Sequence, residues 1–513
     1  VSRLLTPREF PPLLLVILMI AYGLRVFSLG DFALSWDEGY STWIMRLPLA
    51  TLLETTARDV HPPVYYLLLR GFTLAAGEGE FVGRYLSVLL GLITVALTYR
   101  LGHAVGGRWT GLAAAALTAL ARANLTIAQD MRMHMLAMLF VTLLLWAALM
   151  LMRQPARTRW MVLYALAALG TLFTFYLAGM SLIVTSAAFA VWWWRRGRPT
   201  RPLLRWIAAH AVIVGLFLPW GLYTYSQLLR GPSPEGMLSP LIYVQFYLVT
   251  LTMGFPTFDT AYVPFYLAVL IAVAAGVIVL LRAARRRVEL SAPLALLLAG
   301  VIVPLAVVLV ATIPFHSLAR PVAARYFLSL SGAFYVLAAW AVVTLAQRRR
   351  WLGGLAAVTV FGVALYGLLP EFERDVRRDI FVSVADTLTA HRQPGDVLVL
   401  NNDRTWPQLA ARYTGSRFDI PFANPINDAV AEELLAGLWA DSEAVWLVTT
   451  PESLVTDPQQ SLARWLDTRA VAARSWTFNE YQLAAYARTE SRAALLDALA
   501  DGFALPPAGI THP

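Results

Sequence analysis

The sequence predicts a polytopic α-helical membrane protein of about eleven transmembrane helices, with a small soluble α/β domain at its C-terminal end. Three observations carry this. The apolar residues fall into long runs poor in charge, and about 20 such residues carry a helix across the roughly 30 Å hydrocarbon core. Arginines gather between those runs in a pattern that alternates along the chain. After Leu369 the composition turns to charge and proline.

The 513 residues are 58% hydrophobic and only 14% charged, a balance foreign to a soluble chain of this length. Inside lipid every backbone polar group must be bonded internally, so the apolar runs read as helices. A β-barrel needs alternation that the runs lack. The expected spans are Pro11–Leu29, Phe81–Leu101, Trp109–Thr126, Met133–Met152, Trp160–Tyr176, Leu177–Trp194, Leu203–Tyr225, Val263–Leu281, Pro293–Ile313, Tyr326–Ala346 and Trp351–Leu369. Trp160 to Trp194 is short for two crossings and is read as a tight hairpin turning near Gly179. Pro62–Ala76 and Pro240–Met253 are too short to span and read as interfacial or re-entrant helices on the outer face.

Every basic side chain other than histidine is arginine, which fits a GC-rich, bacterial genome. The clusters lie at Arg3 and Arg8, Arg100 and Arg108, Arg153 to Arg159, Arg195 to Arg205, Arg282 to Arg287, and Arg348 to Arg350. With eleven spans all of them fall on one side, which the positive-inside rule makes cytoplasmic. The expected localisation is the inner (plasma) membrane, with the N-terminus cytoplasmic and the C-terminal domain extracytoplasmic. The net charge of +9 is then a topology signal and not a nucleic-acid surface. The absence of cysteine excludes disulfides and thiolate metal sites.

Two regions follow: residues 1–370 as the transmembrane bundle with its outer helices, and 371–513 as the α/β domain. In the latter, Val397–Leu400 and Val445–Thr449 read as buried strands, and Phe372–His391 and Ala429–Trp439 as helices.

Acids are scarce where they matter. Between Phe81 and Pro234 the only one is Asp130, at the outer end of the third span. The first outer loop carries Ser35-Trp36-Asp37-Glu38-Gly39-Tyr40. Carboxylates at membrane depth are costly and usually functional. The plainer readings are a helix cap for Asp37-Glu38 and an i, i+4 pair with His134 for Asp130. On the same predicted face lie His61, Arg84, Arg132 and the pair Arg325-Tyr326. A guanidinium donates paired hydrogen bonds that suit phosphate, and snorkelling to the interface is the plainer reading.

The order Asp-Glu after the first span, His-Pro-Pro-Val-Tyr-Tyr, Gly-Arg-Tyr-Leu-Ser, Gln-Asp-Met-Arg-Met-His and Ala-Arg-Tyr-Phe resembles the GT-C glycosyltransferases, most of all the protein O-mannosyltransferase and lipid A aminoarabinose transferase group. The resemblance covers about residues 8–370. It implies a GT-C fold, a polyprenyl-phosphate sugar donor and an acceptor met at the outer face. It also implies Asp37 as the catalytic base with Glu38 its neighbour, Asp130 as the second acid, and Arg84 serving the donor phosphate. His61 stands where aminoarabinose transferases carry a lysine near that phosphate. Arg325 and Tyr326 match a late pair of less certain role. The soluble insertions of eukaryotic protein mannosyltransferases are missing, which weakens protein as the assumed acceptor.

The expected activity is transfer of a hexosyl or pentosyl group from a polyprenyl phosphate to an acceptor hydroxyl. Asp37, Glu38 and Asp130 form the catalytic set, and His61, Arg84, Arg132, Arg325 and Tyr326 bind phosphate. The aromatic stretch Tyr243–Phe258 is a candidate wall for the lipid chain. No cofactor is required, since arginines alone can neutralise a monophosphate; a divalent cation remains compatible with the carboxylates. The partners are the lipid donor, a lipid-linked, glycan or protein acceptor, and membrane lipids, with no nucleic acid. The rival class is a lipid or sugar transporter or flippase without transferase chemistry, but transporters place ionisable sites near mid-membrane and often show inverted repeats. Asp and Glu avoid mid-span here and no repeat is visible.

Overall fold

The computed structural model describes residues 11–59, 61–225, 240–254, 292–315, 328–372, 379–402, 404–413, 418–420 and 425–500. The chain divides into two units. One comprises Val1–Gly30 and Met45–Asp375, and the other Asp31–Ile44 and Val376–Pro513.

The first unit is helical. Its elements are α1 (Pro12–Val26), the end of α2 (Trp36–Arg46), α3 (Leu49–Arg58), α4 (Val64–Ala76), α5 (Glu80–Gly106), α6 (Arg108–Leu120), α7 (Arg122–Ala128), α8 (His134–Arg153), α9 (Thr158–Leu172), α10 (Met180–Arg195), α11 (Thr200–Tyr223), α12 (Pro240–Met253), α13 (Ala292–Phe315), α14 (Ser331–Arg348) and α15 (Arg350–Phe372). Among the described residues, α5, α8, α10, α11, α14 and α15, some with a flanking turn, are long and apolar enough to cross a membrane. Helices α1 and α9 have 15 residues each, fewer than the roughly 20 of a straight crossing. Leu177–Trp194 is helical as expected, with its first turn a 3-10 helix at Tyr176–Gly179. The expected span Val263–Leu281 lies outside the described residues.

The third expected span is not one helix. It breaks at Ala121, and α6 and α7 are bent by 62°. No proline or glycine causes this; side chains hold the break open. The carbonyls of Thr118 and Ala119, freed at the end of α6, accept from the wholly buried Arg25 guanidinium at 3.3 and 3.2 Å. A cation at a helix C-terminus meets both the orphan carbonyls and the negative end of the helix dipole. Beyond the break, Arg122 pairs with Glu371 at 2.6 Å. A Cβ on Gly91 would come within 3.0 Å of Arg25 Nε and 3.3 Å of the Ala128 Cβ, so glycine there makes room for both.

The second unit is a three-layer α/β domain. Its elements are α16 (Ile380–His391), β1 (Val397–Leu400), α17 (Trp406–Arg412), β2 (Phe418–Asp419), α18 (Asp428–Ala440), β3 (Ala444–Thr449), α19 (Ser461–Asp467), β4 (Ala472–Phe478), β5 (Tyr481–Ala487) and α20 (Glu490–Ala500). The sheet order is β2-β1-β3-β5-β4. β1 runs parallel to β2 and β3, and β5 antiparallel to β3 and β4. β3 is covered on both faces: Trp446 and Val448 meet α16, α17 and α20, while Val445 and Leu447 meet α18 and α19. The two expected strands and the helix expected at Ala429–Trp439 are present; of the helix expected at Phe372–His391 only Ile380–His391 is one helix, since Phe372 ends α15 and Asp379 caps a new start, and the β4–β5 hairpin is an addition.

The units also divide differently from the boundary expected at residue 370. The first unit runs to Asp375, and the segment Asp31–Ile44 groups with residues 376–513. The reason is physical: the Leu34 amide donates to Asp379 Oδ2 at 3.3 Å, and Gly39 lies directly on the backbone of Pro407.

Candidate active site

In the first unit, three helix mouths meet around the segment Asp130-Met131-Arg132. The N-terminal turns of α5 present Gly83, Ser87 and Gly91, four residues apart and therefore on one face. A Cβ on Gly83 would fall 2.0 Å from Met131 Sδ, so Met131 occupies the space that glycine leaves. The Ser87 hydroxyl donates to the Asp130 carbonyl at 2.7 Å. On the other side, Gln129 Nε2 donates to the carbonyls of Arg25 and Phe27 at 3.2 and 2.9 Å, which satisfies the end of α1. The main chain at Asp130 is thereby fixed between α1 and α5.

Arg132 is 3% exposed and donates to the Tyr66 hydroxyl at 3.3 Å. The neighbouring Tyr65 is wholly buried, and the charges of Asp130 and Arg132 act on it. Arg84 is equally buried; it donates to the Leu29 carbonyl at 3.0 Å and sits 3.8 Å from Glu80. It therefore has a structural task in addition to any charge it offers. His61 lies 3.5 Å from Asp59 and stacks on Phe175 at 6.2 Å between ring centroids. His134 meets the same Phe175 ring edge-on at 5.4 Å. The Val64 amide donates to Phe173 O at 3.2 Å, which holds the start of α4 against the end of α9.

Arg132 thus meets Tyr66 beside Asp130 and Tyr65, His61 and His134 share the Phe175 ring, and Arg84 belongs to the α5 turn that Ser87 ties to Asp130. The tyrosines are the sequence's own His-Pro-Pro-Val-Tyr-Tyr, in a helix too short to span; that was the available signal for them. Phe175 had none. Arg325 and Tyr326 lie outside the described residues, as do residues 255–258 of the Tyr243–Phe258 stretch, and the side chains of 243–246 are not described.

Asp37 and Glu38 are built into the second unit. Ser35 Oγ accepts from the Glu38 amide at 3.2 Å, and Glu38 Oε2 accepts from the Ser35 amide at 3.0 Å. This is a reciprocal capping box, so the buried Glu38 carboxylate secures the first turn of α2. Asp37 occupies that same turn and is half-buried; its carbonyl accepts from Ser41 Oγ at 3.0 Å.

Residues 60–223 match the family model for dolichyl-phosphate-mannose-protein mannosyltransferase. That stretch holds His61, Arg84, Asp130 and Arg132, and leaves out Asp37. Among solved structures, apo ArnT from Cupriavidus metallidurans superposes with a TM-score of 0.60 at 15% identity, over 93% of this chain and 98% of that one. The fold is that of the GT-C glycosyltransferases. ArnT bound to undecaprenyl phosphate matches with a TM-score of 0.57 at 15% identity, over the same shares of both chains. The Archaeoglobus fulgidus oligosaccharyltransferase AglB, in complex with an inhibitory peptide and a dolichol-phosphate, matches with a TM-score of 0.52 at 14% identity, over 94% of this chain and 74% of that one. No curated protein matches the chain. The ArnT alignment takes in residues of both units, since it spans nearly both chains whole.

Proposed function

We propose that this protein is a membrane glycosyltransferase that moves a sugar from a polyprenyl-phosphate donor to an acceptor hydroxyl at the extracytoplasmic face. The observation that carries it is buried Arg132 bonded to Tyr66 next to Asp130 and Tyr65, with His61 stacked on Phe175 and Arg84 on the turn of α5 that Ser87 ties to Asp130, on a GT-C fold. The solved relatives bound to undecaprenyl phosphate and dolichol-phosphate support a lipid-phosphate donor. Sugar transfer requires a nucleophilic hydroxyl and a phosphate made into a good leaving group. Asp37 accepts the hydroxyl proton as general base. Arg132, Arg84 and His61 stabilise the charge left on the departing phosphate, and fixed donors aimed at developing charge are usually the largest catalytic contribution. Glu38 fixes the turn that carries Asp37, and Asp130 binds acceptor hydroxyls.

His61→Ala and Arg84→Ala are expected to weaken binding of undecaprenyl phosphate by about 1.5–3 kcal/mol each, the worth of a charge-assisted hydrogen bond. Their stabilities should differ. Arg84→Ala also strips the donor from the Leu29 carbonyl and should lower the melting temperature, whereas His61→Ala should leave it near wild type. Titration of the lipid into the two purified variants checks this, and unchanged affinity in both rejects the phosphate role.

The proposed topology places Asp37 and the unit from Val376 onward outside the cytoplasm. An alkaline phosphatase fusion after Pro513 should be active and a green fluorescent protein fusion there dark. The opposite pattern reverses the orientation.

A further inference from the structure

We propose that the α/β unit is a clamp that holds the Asp37-bearing helix, with Trp406 and Pro407 as positioning residues for Asp37. The contacts give this domain a direct task, and this inference rests on the reading of Asp37 as base.

Three contacts within the second unit form the clamp. The first is steric. A Cβ on Gly39 would fall 2.6 Å from the Pro407 carbonyl carbon and 2.8 Å from the Gln408 nitrogen. Only a glycine lets α2 lie on the first turn of α17. The second is aromatic. Trp43 meets Trp406 edge-on at 5.0 Å and Tyr40 meets it at 6.0 Å, while Tyr40 stacks on Trp36 and Trp43 at 5.2 and 5.8 Å. Such pairs add to the area they bury and prefer defined geometries. The third is polar. Asp379 caps α16 through the Phe381 amide at 3.0 Å, binds Arg412 at the far end of α17 at 2.7 Å, and accepts the Leu34 amide. One short helix, α17, therefore reaches the Asp37 segment from both its ends: directly at Trp406-Pro407, and through Asp379 at Arg412.

Gly39, Tyr40 and Trp43 make one face of α2, since positions three and four apart are neighbours on a helix. Asp37 stands to the side of that face, in the turn that the capping box fixes. The clamp thereby fixes the backbone that carries its carboxylate. General-base catalysis needs the base within hydrogen-bond reach of its proton.

The test uses the full-length protein in lipid nanodiscs, with Trp406→Ala, Trp406→Phe and Asp37→Asn beside wild type. Amide hydrogen exchange over residues 36–43 needs no substrate, and Trp406→Ala should speed it at least about tenfold by local loosening. Turnover on a panel of undecaprenyl-phosphate-linked hexoses and pentoses should fall about tenfold to a hundredfold in kcat, the order that a misplacement of an ångström costs. KM for the donor should hold, and Trp406→Phe should recover most of both effects. Unchanged exchange in Trp406→Ala overturns the clamp. Faster exchange with unchanged kcat overturns its role in positioning. If Asp37→Asn turns over normally while Trp406→Ala is impaired, the base assignment fails and the positioning of Asp37 with it, although the contact itself stands.

Discussion

Replacing Asp37 by asparagine is expected to lower turnover by at least about a hundredfold, the low end for loss of a general base, while donor binding and folding stay near wild type. Asparagine keeps the size of the side chain and can still accept a hydrogen bond, but it cannot take the proton. Its place in the first turn of α2 also survives, because Ser35 and Glu38 make the cap. Glu38→Gln should behave differently. Glutamine is tolerated at that position of a capping box, so the turn persists and turnover should fall less than in Asp37→Asn. Steady-state rates of the two variants on the working donor and acceptor check this ordering. Near-normal turnover in Asp37→Asn would move the base elsewhere, with Asp130 next.

The second large effect concerns the stability of the α/β unit. Asp396 and Arg492 are both buried and meet through two bonds, Nε to Oδ1 at 3.1 Å and Nη2 to Oδ2 at 2.5 Å. Trp446 Nε1 and the Gln393 amide also donate to Oδ2, at 2.9 and 3.0 Å, and Arg492 reaches the His391 carbonyl at 3.1 Å. The network ties α20 to the start of β1 and to the central strand. Asp396→Ala leaves a guanidinium and an indole N–H buried without their acceptor, which should cost about 3–5 kcal/mol. Against a domain stability of about 5–15 kcal/mol, that is enough to expose the unit to protease. Limited proteolysis of the full chain should then cleave beyond Val376 while the bundle stays intact. Asp396→Leu combined with Arg492→Leu should be milder than Asp396→Ala, because no charge is stranded. A single substitution that leaves proteolysis unchanged would contradict the network's weight.

The parts legible in the sequence are those whose physics is local. α5 and α8 announce themselves because lipid demands a continuous apolar helix. Val397–Leu400 and Ala444–Thr449 do so because strands covered on both faces are unbroken apolar runs. A cap was expected at Asp37-Glu38; the capping residue is Ser35, with Glu38 closing the box, a Ser-x-x-Glu spacing that the sequence carries. Other features join residues far apart in the chain and leave no local trace. Arg25 lies inside an expected span and reads as a blemish until the freed carbonyls of α6 are seen beside it. Arg122 and Glu371 are 249 positions apart. Leu34 and Asp379 are 345 apart, so nothing local tells that the first outer loop packs with the C-terminal domain. The β4–β5 hairpin was missed for another reason: most of β4 faces outward, and its apolar pattern is too thin to mark a strand.

For the candidate site, residue type and order singled out His61, Asp130 and Arg132; in the fold Arg132 reaches Tyr66, and His61 stacks on Phe175. They did not reveal that Arg84 also holds the Leu29 carbonyl, or that Phe175 stands between His61 and His134. Such partners come from other helices, and only packing selects them.

The central claim is tested most directly by incubating purified protein in vesicles with undecaprenyl-phosphate sugars radiolabelled in the sugar, together with lipid, glycan and peptide acceptors. A transferase releases free undecaprenyl phosphate in step with label gained by one acceptor, and Asp37→Asn abolishes both signals. If the labelled lipid instead crosses the vesicle membrane intact, with no free undecaprenyl phosphate formed under any pairing of donor and acceptor, the protein moves lipids and the account is contradicted.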